Sequence, residues 1–360
     1  MTLDSVDTKA ADPKDMMGAI LSLPEQCQRA KDIALNTDLE LPVNAAFGNA
    51  VITGMGGSAI GGDLLRAIYQ PLLRAPVEVS RDYHLPGYVD KRSLVIAASY
   101  SGNTEETLAS YDAARKAGAT IVAVTTGGEL ATRAQRDKVS TILIPGGLQP
   151  RAALGYSFVP LIVIAVRAGL MPDTLLDDID GMIATLEGVR TDCAPDVAQE
   201  NNRAKGLAAR WKDMLPVIYG SQGERGVVAY RWKTQINENA KAIAIANVLP
   251  ELDHNESVGW SGEHGQARPA AELAVVFLRD DREPTAIKRR AELTKTIVEK
   301  HAASVSEVWA QGDSALARTL SLVYTGDFAS CYLAYAYGED PTPVKVIDWL
   351  KGELSKAGRP

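Results

Sequence analysis

The sequence predicts an α/β protein made of two doubly wound domains, each a parallel sheet flanked by helices. Three observations carry this reading. Short apolar runs rich in Val, Ile and Ala alternate with longer stretches of helical periodicity, the pattern of repeated βαβ units. The first such run leads into a glycine-rich turn and then a helix, in "NAVITGMGGSAIGGD" at Asn49–Asp63. A later stretch, "VIYGSQGERGVVAYRWK", repeats the order of apolar strand, Gly220-Ser221 and helix, which points to an internal duplication.

Residues 1–40 read as a helical lead-in, with helical pattern to about Leu39. The first domain, 41–200, takes its strands from "AVIT", "VEVS", "SLVIAAS", "TIVAVT" and "TILIP", with helical patterns between several of them. A long apolar helix from about Ala152 to Ala168, and more helical sequence to about Trp211, closes it and leads into the next. The second domain, 201–360, has predicted strands at Leu215 to Gly220, Lys241 to Ala246, Glu272 to Leu278 and Ser304 to Ala310. No low-complexity linker separates the two, so the cleft between them is expected to be intimate rather than tethered.

Composition narrows the function classes. A chain of 360 residues with 46% hydrophobic content supports more than one core. The net charge of −7 and the lack of any long Lys or Arg run argue against a nucleic acid partner. Cys27, Cys193 and Cys331 are far apart, odd in number and outside any metal-ligand spacing, which speaks against a disulfide framework or a metal site and for a reducing cytoplasm. The start Met1-Thr2-Leu3-Asp4 has no basic region followed by an apolar one, and no stretch approaches the ~18 apolar residues of a membrane span.

The glycine turn admits two readings. Gly54 to Ala59 can be forced onto the dinucleotide pattern G-x-G-x-x-G/A, with Glu78 roughly where a ribose-binding acid would sit. Against this, the strand "SLVIAA" ends in "SYSGNTEET", which a dinucleotide fold does not require. Ser99, Ser101 and Thr104 lie within six residues, with Gly102 permitting a tight backbone and Asn103 expected as a helix cap. A hydroxyl donates to an anion without adding fixed charge. Together with Ser58, this cluster suits the terminal oxygens of a phosphomonoester at a helix N-terminus.

On these residues the chain resembles the sugar isomerase (SIS) domain, through G-x-G-G-S followed some forty positions later by S-x-S-G-N-T-x-E-T. The likeness extends further. "QPRAALGY", "NENAKAIAIANVLPELDHNESVGW" and "DPTPVKVIDWLK" are similar to landmarks of the bifunctional phosphoglucose/phosphomannose isomerase family, spanning about Gly54 to Lys351. The resemblance implies two SIS-type, flavodoxin-like domains and a cofactor-free, metal-free reaction on hexose 6-phosphates. It implies that Gly57, Ser58, Ser99, Ser101 and Thr104 hold the sugar phosphate, with Arg151 at the reacting carbons and Glu238 as catalytic base. His254 corresponds to the ring-opening histidine and Lys351 to a lysine on the C-terminal helix. Thr342 is the residue expected to line the sugar hydroxyls, and Lys345 is left as an alternative to Lys351.

The chemistry of those side chains agrees with the roles. Aldose–ketose interconversion moves a proton between adjacent carbons, and a carboxylate beside an apolar run can be desolvated into a base for it. An imidazole exchanges protons with a ring oxygen near neutral pH. An arginine remains charged opposite a developing enediolate. Glu263 and His264 are read as surface residues, and Trp232 and Trp260 as packing residues. The resemblance further implies a homodimer in which His254 completes the partner's site. Pro250, Leu252, Val258 and Trp260 are the expected apolar anchors of that interface. A non-catalytic sugar-phosphate-binding regulator and a nicotinamide-dependent dehydrogenase are the competing functions.

Overall fold

A computed structural model describes residues 2–42, 46–261 and 270–356. Its first sheet has five parallel strands, β1 (Asn49–Thr53), β2 (Val77–Ser80), β3 (Ser93–Ser99), β4 (Thr120–Thr125) and β5 (Ser140–Leu143), in the order β2-β1-β3-β4-β5. The second has four parallel strands, β6 (Leu215–Ser221), β7 (Ile245–Leu249), β8 (Leu273–Arg279) and β9 (Ser304–Trp309), in the order β7-β6-β8-β9. Numbered within each sheet, the first runs 2-1-3-4-5 and the second 2-1-3-4, so the duplication expected from "VIYGSQGERG" appears as a repeated topology. The order reverses between β1 and β3, and again between β6 and β8. These are the crevices where doubly wound sheets bind ligands.

The inner strands β3 and β8 are apolar over most of their length because both of their faces are covered. Every residue of β3 is buried, and the residues of β8 from Ala274 onward are as well. Helices Leu154–Arg167, Glu224–Ala240 and Ala315–Tyr337 pack into a core shared with both sheets. One continuous core runs from Ile52 and Leu94 in the first lobe, through these helices, to Ile218 and Val276 in the second. The lobes are therefore fused, not tethered. The lead-in forms helices Met16–Leu21 and Leu23–Asn36, whose Met17, Ile20 and Cys27 join the same core.

One expectation needs correction. The strand predicted at Lys241 to Ala246 begins later, at Ile245. The preceding helix persists to Ala240, Lys241 turns into the left-handed region with φ of 55°, and Asn237 Nδ2 donates to the Ala242 carbonyl at 2.7 Å. The intervening residues only bring the chain into register opposite Val217. Glu263 and His264 lie outside the described residues. No described helix is long and apolar enough to cross a membrane.

Trp232 and Trp260 pack as expected. The Trp232 indole is fully buried against helix Ala315–Tyr337 and donates to the Leu322 carbonyl at 2.8 Å. That approach requires Gly326, where a methyl group would lie 2.1 Å from Trp232 Nε1. Gly326→Ala is therefore expected to cost about 1–3 kcal/mol of stability through overpacking. Gly181→Ala, on an exposed helix face with nothing within 4 Å, is expected to gain about 0.5–1 kcal/mol. Urea denaturation midpoints of the two variants measure the contrast.

Candidate active site between the two lobes

Two loops meet at the β1/β3 crevice. The first follows β1, where Gly56 takes φ of 50° and opens the helix Gly56–Tyr69. The second follows β3 and runs into helix Glu105–Ala117, capped at Thr104. They are bonded to each other, since the Tyr100 N–H donates to Ser58 Oγ at 3.2 Å. Ser99 and Thr104 share a hydroxyl–hydroxyl bond of 2.8 Å, and Ser99 Oγ accepts the Gly102 N–H at 3.1 Å. Ser101 is exposed and accepts the Asn103 N–H at 3.2 Å. A hydroxyl that accepts a backbone N–H keeps its own proton for donation. The loop backbone thus orients Ser58 and Ser101 while leaving both able to bind an anion.

Asn103 does not cap its own helix. Its Oδ1 accepts the Glu129 N–H at 3.0 Å, tying the loop to the start of the next helix, Gly128–Arg136. Gly102 is required where it stands, at φ of 70°, because a Cβ would collide with the Gly127 carbonyl.

Gly57 connects the phosphate-type loop to the rest of the site. A Cβ here would lie 2.6 Å from the Pro150 carbonyl oxygen, so only glycine lets the short turn Pro150–Ala152 come this close. That turn carries Arg151. Its guanidinium is buried and crosses into the second lobe. Nε donates to Asn239 Oδ1 at 2.6 Å, and Nη2 donates to the carbonyls of Pro341 and Thr342 at 2.8 and 2.9 Å. Nη1 pairs with Glu238 Oε2 at 3.3 Å. Burial draws the guanidinium pKa below its ordinary value, with Glu238 opposing the shift.

Glu238 sits in the last turn of helix Glu224–Ala240, its side chain 33% exposed. It is half-buried rather than sealed in the apolar setting expected of it. One carboxylate oxygen is held by Arg151, and among the described residues Oε1 has no hydrogen-bond partner. Beside it opens a cleft of about 810 Å³, lined by Glu238, Asn237, Lys241, Ile243, Lys345 and Ile347 among others. The C-terminal helix Lys345–Lys356 forms one wall. Thr342 is buried, and its hydroxyl has no hydrogen-bond partner among the described residues, which suits a group that bonds an incoming polar ligand.

Family models match both lobes. The SIS domain matches residues 47–145, and the bacterial phospho-glucose isomerase C-terminal SIS domain matches 200–354. A bifunctional phosphoglucose/phosphomannose isomerase of Caldicellulosiruptor bescii is 45% identical over 95% of this chain and 99% of its own. One from Thermoplasma acidophilum is 38% identical over 86% and 90%. The chain belongs to the bifunctional phosphoglucose/phosphomannose isomerase family. Among solved structures, a hypothetical protein from Thermus thermophilus has a similar fold, with a TM-score of 0.75 at 16% identity over 97% of this chain and 92% of that one. The two-sheet SIS architecture is thus shared beyond close relatives.

The family's other expected residues lie apart from this cluster. Lys345 lines the cleft and Lys351 does not; Lys351 is exposed further along the C-terminal helix. His254 ends a short turn, Glu251–His254, after β7, where it is exposed and outside the cleft lining. Of its apolar neighbours, Leu252 and Trp260 are buried in their own lobe's core, with Trp260 Nε1 donating to Tyr219 Oη at 2.9 Å. They are not available as interface anchors. Val258, at 69% exposed, remains, and Val346, Trp349 and Leu354 of the C-terminal helix are exposed as well.

The dinucleotide reading fails on two grounds. The sheet order is that of a flavodoxin-like lobe rather than a dinucleotide-binding one. Glu78 accepts from the Tyr88 hydroxyl, so the proposed ribose acid is already engaged. Among the described residues, no group of three or more His, Cys, Asp or Glu side chains is placed to hold a metal ion.

Several residues that hold the site were not singled out from sequence. Arg231 Nη2 donates to the Arg151 carbonyl at 2.9 Å and forms a buried pair with Asp327 at 2.7 Å. Gln235 Nε2 also donates to Asp327 at 2.9 Å, and Asn239 Nδ2 to Ser330 Oγ at 2.9 Å. Burial pushes the Asp327 carboxyl above the usual carboxylate range, with Arg231 pulling it back. Lys241 Nζ bonds the carbonyls of Asn239 and Pro341 at 3.1 and 2.9 Å, and burial beside Arg151 draws its pKa down.

Ser101→Ala combined with Thr104→Ala is expected to weaken binding of a hexose 6-phosphate by about 1.5–3 kcal/mol per lost charge-assisted bond. Binding of the unphosphorylated hexose should not change. Calorimetric titration with both ligands separates an anion contact from a general loss of the loop.

Proposed function

We propose that the chain is an aldose–ketose isomerase that interconverts glucose 6-phosphate and mannose 6-phosphate with fructose 6-phosphate through a cis-enediolate. The observation that carries this reading is the placement of Arg151. Its turn packs against Gly57 of the hydroxyl-lined crevice, and its guanidinium holds the Glu238 carboxylate. The phosphate of a bound sugar engages the Ser58, Ser99, Ser101 and Thr104 hydroxyls. The first two carbons then lie toward Arg151 and Glu238. Family membership and the names carried by its relatives support the same substrates.

Each step follows from the side chains. Glu238 takes the proton from C2 of the open-chain aldose as the electron pair moves into the C1–C2 bond. The carbonyl π electrons move onto O1, and the Arg151 guanidinium stabilises the negative charge that develops there. Transfer of the O2 hydroxyl proton to O1 and return of the carried proton to C1, with the O2 electron pair closing the C2 carbonyl, give the ketose. Glucose 6-phosphate and mannose 6-phosphate differ only at C2, so loss of that hydrogen gives both the same intermediate, and one base serves both. No metal or cofactor takes part in this scheme.

The chain acts as a cytoplasmic homodimer with composite sites. His254, exposed and away from the cleft of its own chain, reaches the partner's site and protonates the ring oxygen during opening. Val258 and the apolar face of the C-terminal helix supply the contact that the buried Leu252 and Trp260 do not. Lys345, rather than Lys351, is the lysine of the C-terminal helix that lines the cleft within one chain. Three buried free cysteines accord with a reducing compartment.

Fructose 6-phosphate formation is expected from glucose 6-phosphate and from mannose 6-phosphate alike, with EDTA present. Silence on both substrates contradicts the reading and favours a binding regulator. Glu238→Gln is expected to lower kcat by about 10²–10⁴, the usual contribution of a general base, with substrate affinity retained. A variant keeping a tenth of the wild-type kcat removes Glu238 from that role.

Mixing inactive Glu238→Gln and His254→Ala chains under conditions of subunit exchange tests the composite site. One site of each heterodimer then receives both native residues, so activity is expected to recover to about one quarter of wild type by symmetry. No recovery despite verified exchange places both residues in one chain's site.

A further inference from the structure

The repeated topology allows the two crevices to be aligned residue by residue. Thr53 of β1 stands opposite Ala97 of β3, and Tyr219 of β6 stands opposite Phe277 of β8. Two residues beyond each partner lie Ser99 and Arg279. Five residues beyond those lie Thr104 and Pro284, each the N-cap of the helix that follows. The loops Ser99–Thr104 and Arg279–Pro284 therefore have the same length and the same place in the fold. Their chemistry differs: "SYSGNT" offers hydroxyls, whereas "RDDREP" offers charges.

The second crevice is filled by one of its own side chains. Glu283 Oε1 accepts from Ser221 Oγ at 2.9 Å and lies 3.3 Å from Arg225 Nε, while Oε2 faces Arg279 Nε at 3.4 Å. The Glu283 and Arg279 side chains are almost wholly buried, and that of Arg225 is 12% exposed. Asp280, just before this group, bridges Arg225 Nη1 and Arg318 Nε at 3.1 Å each. Two guanidiniums and a hydroxyl converging on oxygen atoms form the donor set that proteins use for phosphate. Here that set stands at the topological switch point and closes on a carboxylate.

We propose that the second lobe holds a degenerate oxyanion site in which the Glu283 carboxylate occupies the place of a phosphate, so that each chain binds a phosphate-bearing ligand in the first lobe only. An anion tethered to the chain competes at high effective concentration, and no free phosphate displaces it. Removing it leaves the buried Arg225 and Arg279 with Glu224, Asp280 and Glu307, of which Asp280 is shared with Arg318 and Glu307 with Lys295. Buried cations without a counter-charge are strongly unfavourable, and a tetrahedral oxyanion relieves them. The inference takes the hydroxyl-lined first crevice, as read above, for its template.

The test counts bound inorganic phosphate by equilibrium dialysis at constant ionic strength in chloride, using the full-length wild type, Glu283→Ala and Glu283→Ala/Arg225→Ala. Glu283→Ala is expected to bind one more phosphate per chain than wild type, and the double variant is expected to lose that increment. An equal count in wild type and Glu283→Ala overturns the proposal, as does a wild type that already binds two. If Glu283→Ala melts without a cooperative transition in chloride, phosphate should restore the transition, and failure to do so also overturns it. The increment tests the second lobe alone, because a wild-type count of zero would count against the first-lobe reading instead.

Discussion

Arg151 belongs to the first lobe and is buried in the second, and the remainder of the site is arranged around that crossing. All of its bonds within the second lobe, to Asn239, Pro341, Thr342 and Glu238, come from segments distant in sequence. A buried guanidinium is tolerated only when its donors are satisfied and a counter-charge is near. Gly57 exists at its position so that the turn carrying Arg151 can approach the glycine loop. Arg231, itself held by Asp327, grips the Arg151 carbonyl. The glycine loop and the Glu238 carboxylate are thereby fixed in one frame, as the proposed proton transfer on a tethered sugar requires.

The two crevices show two solutions to anion binding. Neutral hydroxyls, held by backbone N–H groups as in Ser58 and Ser101, lie empty without penalty and can accept and release a dianion. Buried guanidiniums bind anions more strongly but cannot remain uncompensated. In the proposed reading the hydroxyl loop of the first lobe takes a ligand that must come and go. The second lobe, with Arg225 and Arg279, supplies its own carboxylate and serves as a scaffold for Glu238.

Much of this was legible in sequence, for identifiable physical reasons. Strand positions followed from apolar runs buried on both faces, and the glycine and serine loops from strict backbone demands at strand ends. The start of β7 was missed because "AIAIA" alternates like a strand, while Asn237 and the left-handed Lys241 use its first residues to end a helix. Asn103 resembled a local cap but bonds Glu129, a partner set by the fold. Leu252 and Trp260 looked like interface anchors because apolarity does not say which core a residue joins. One signal was available and unused: Arg231, Gln235 and Asn239 recur every four residues beside the apolar ridge Val228, Trp232, Ile236 and Ala240. That pattern is a buried polar ridge on one helix, and it carries the support for Arg151.

The role of Glu238 as a proton carrier is tested most directly by following the hydrogen on C2. Glucose 6-phosphate carrying deuterium at C2 is converted by the wild-type protein in ordinary water, and early fructose 6-phosphate is analysed by NMR. Transfer through a carboxylate predicts partial loss of deuterium to solvent, with the remainder at C1. Complete retention at C1 at every time point is the outcome of direct hydride passage between the carbons and would contradict Glu238, 33% exposed, as a solvent-exchanging base.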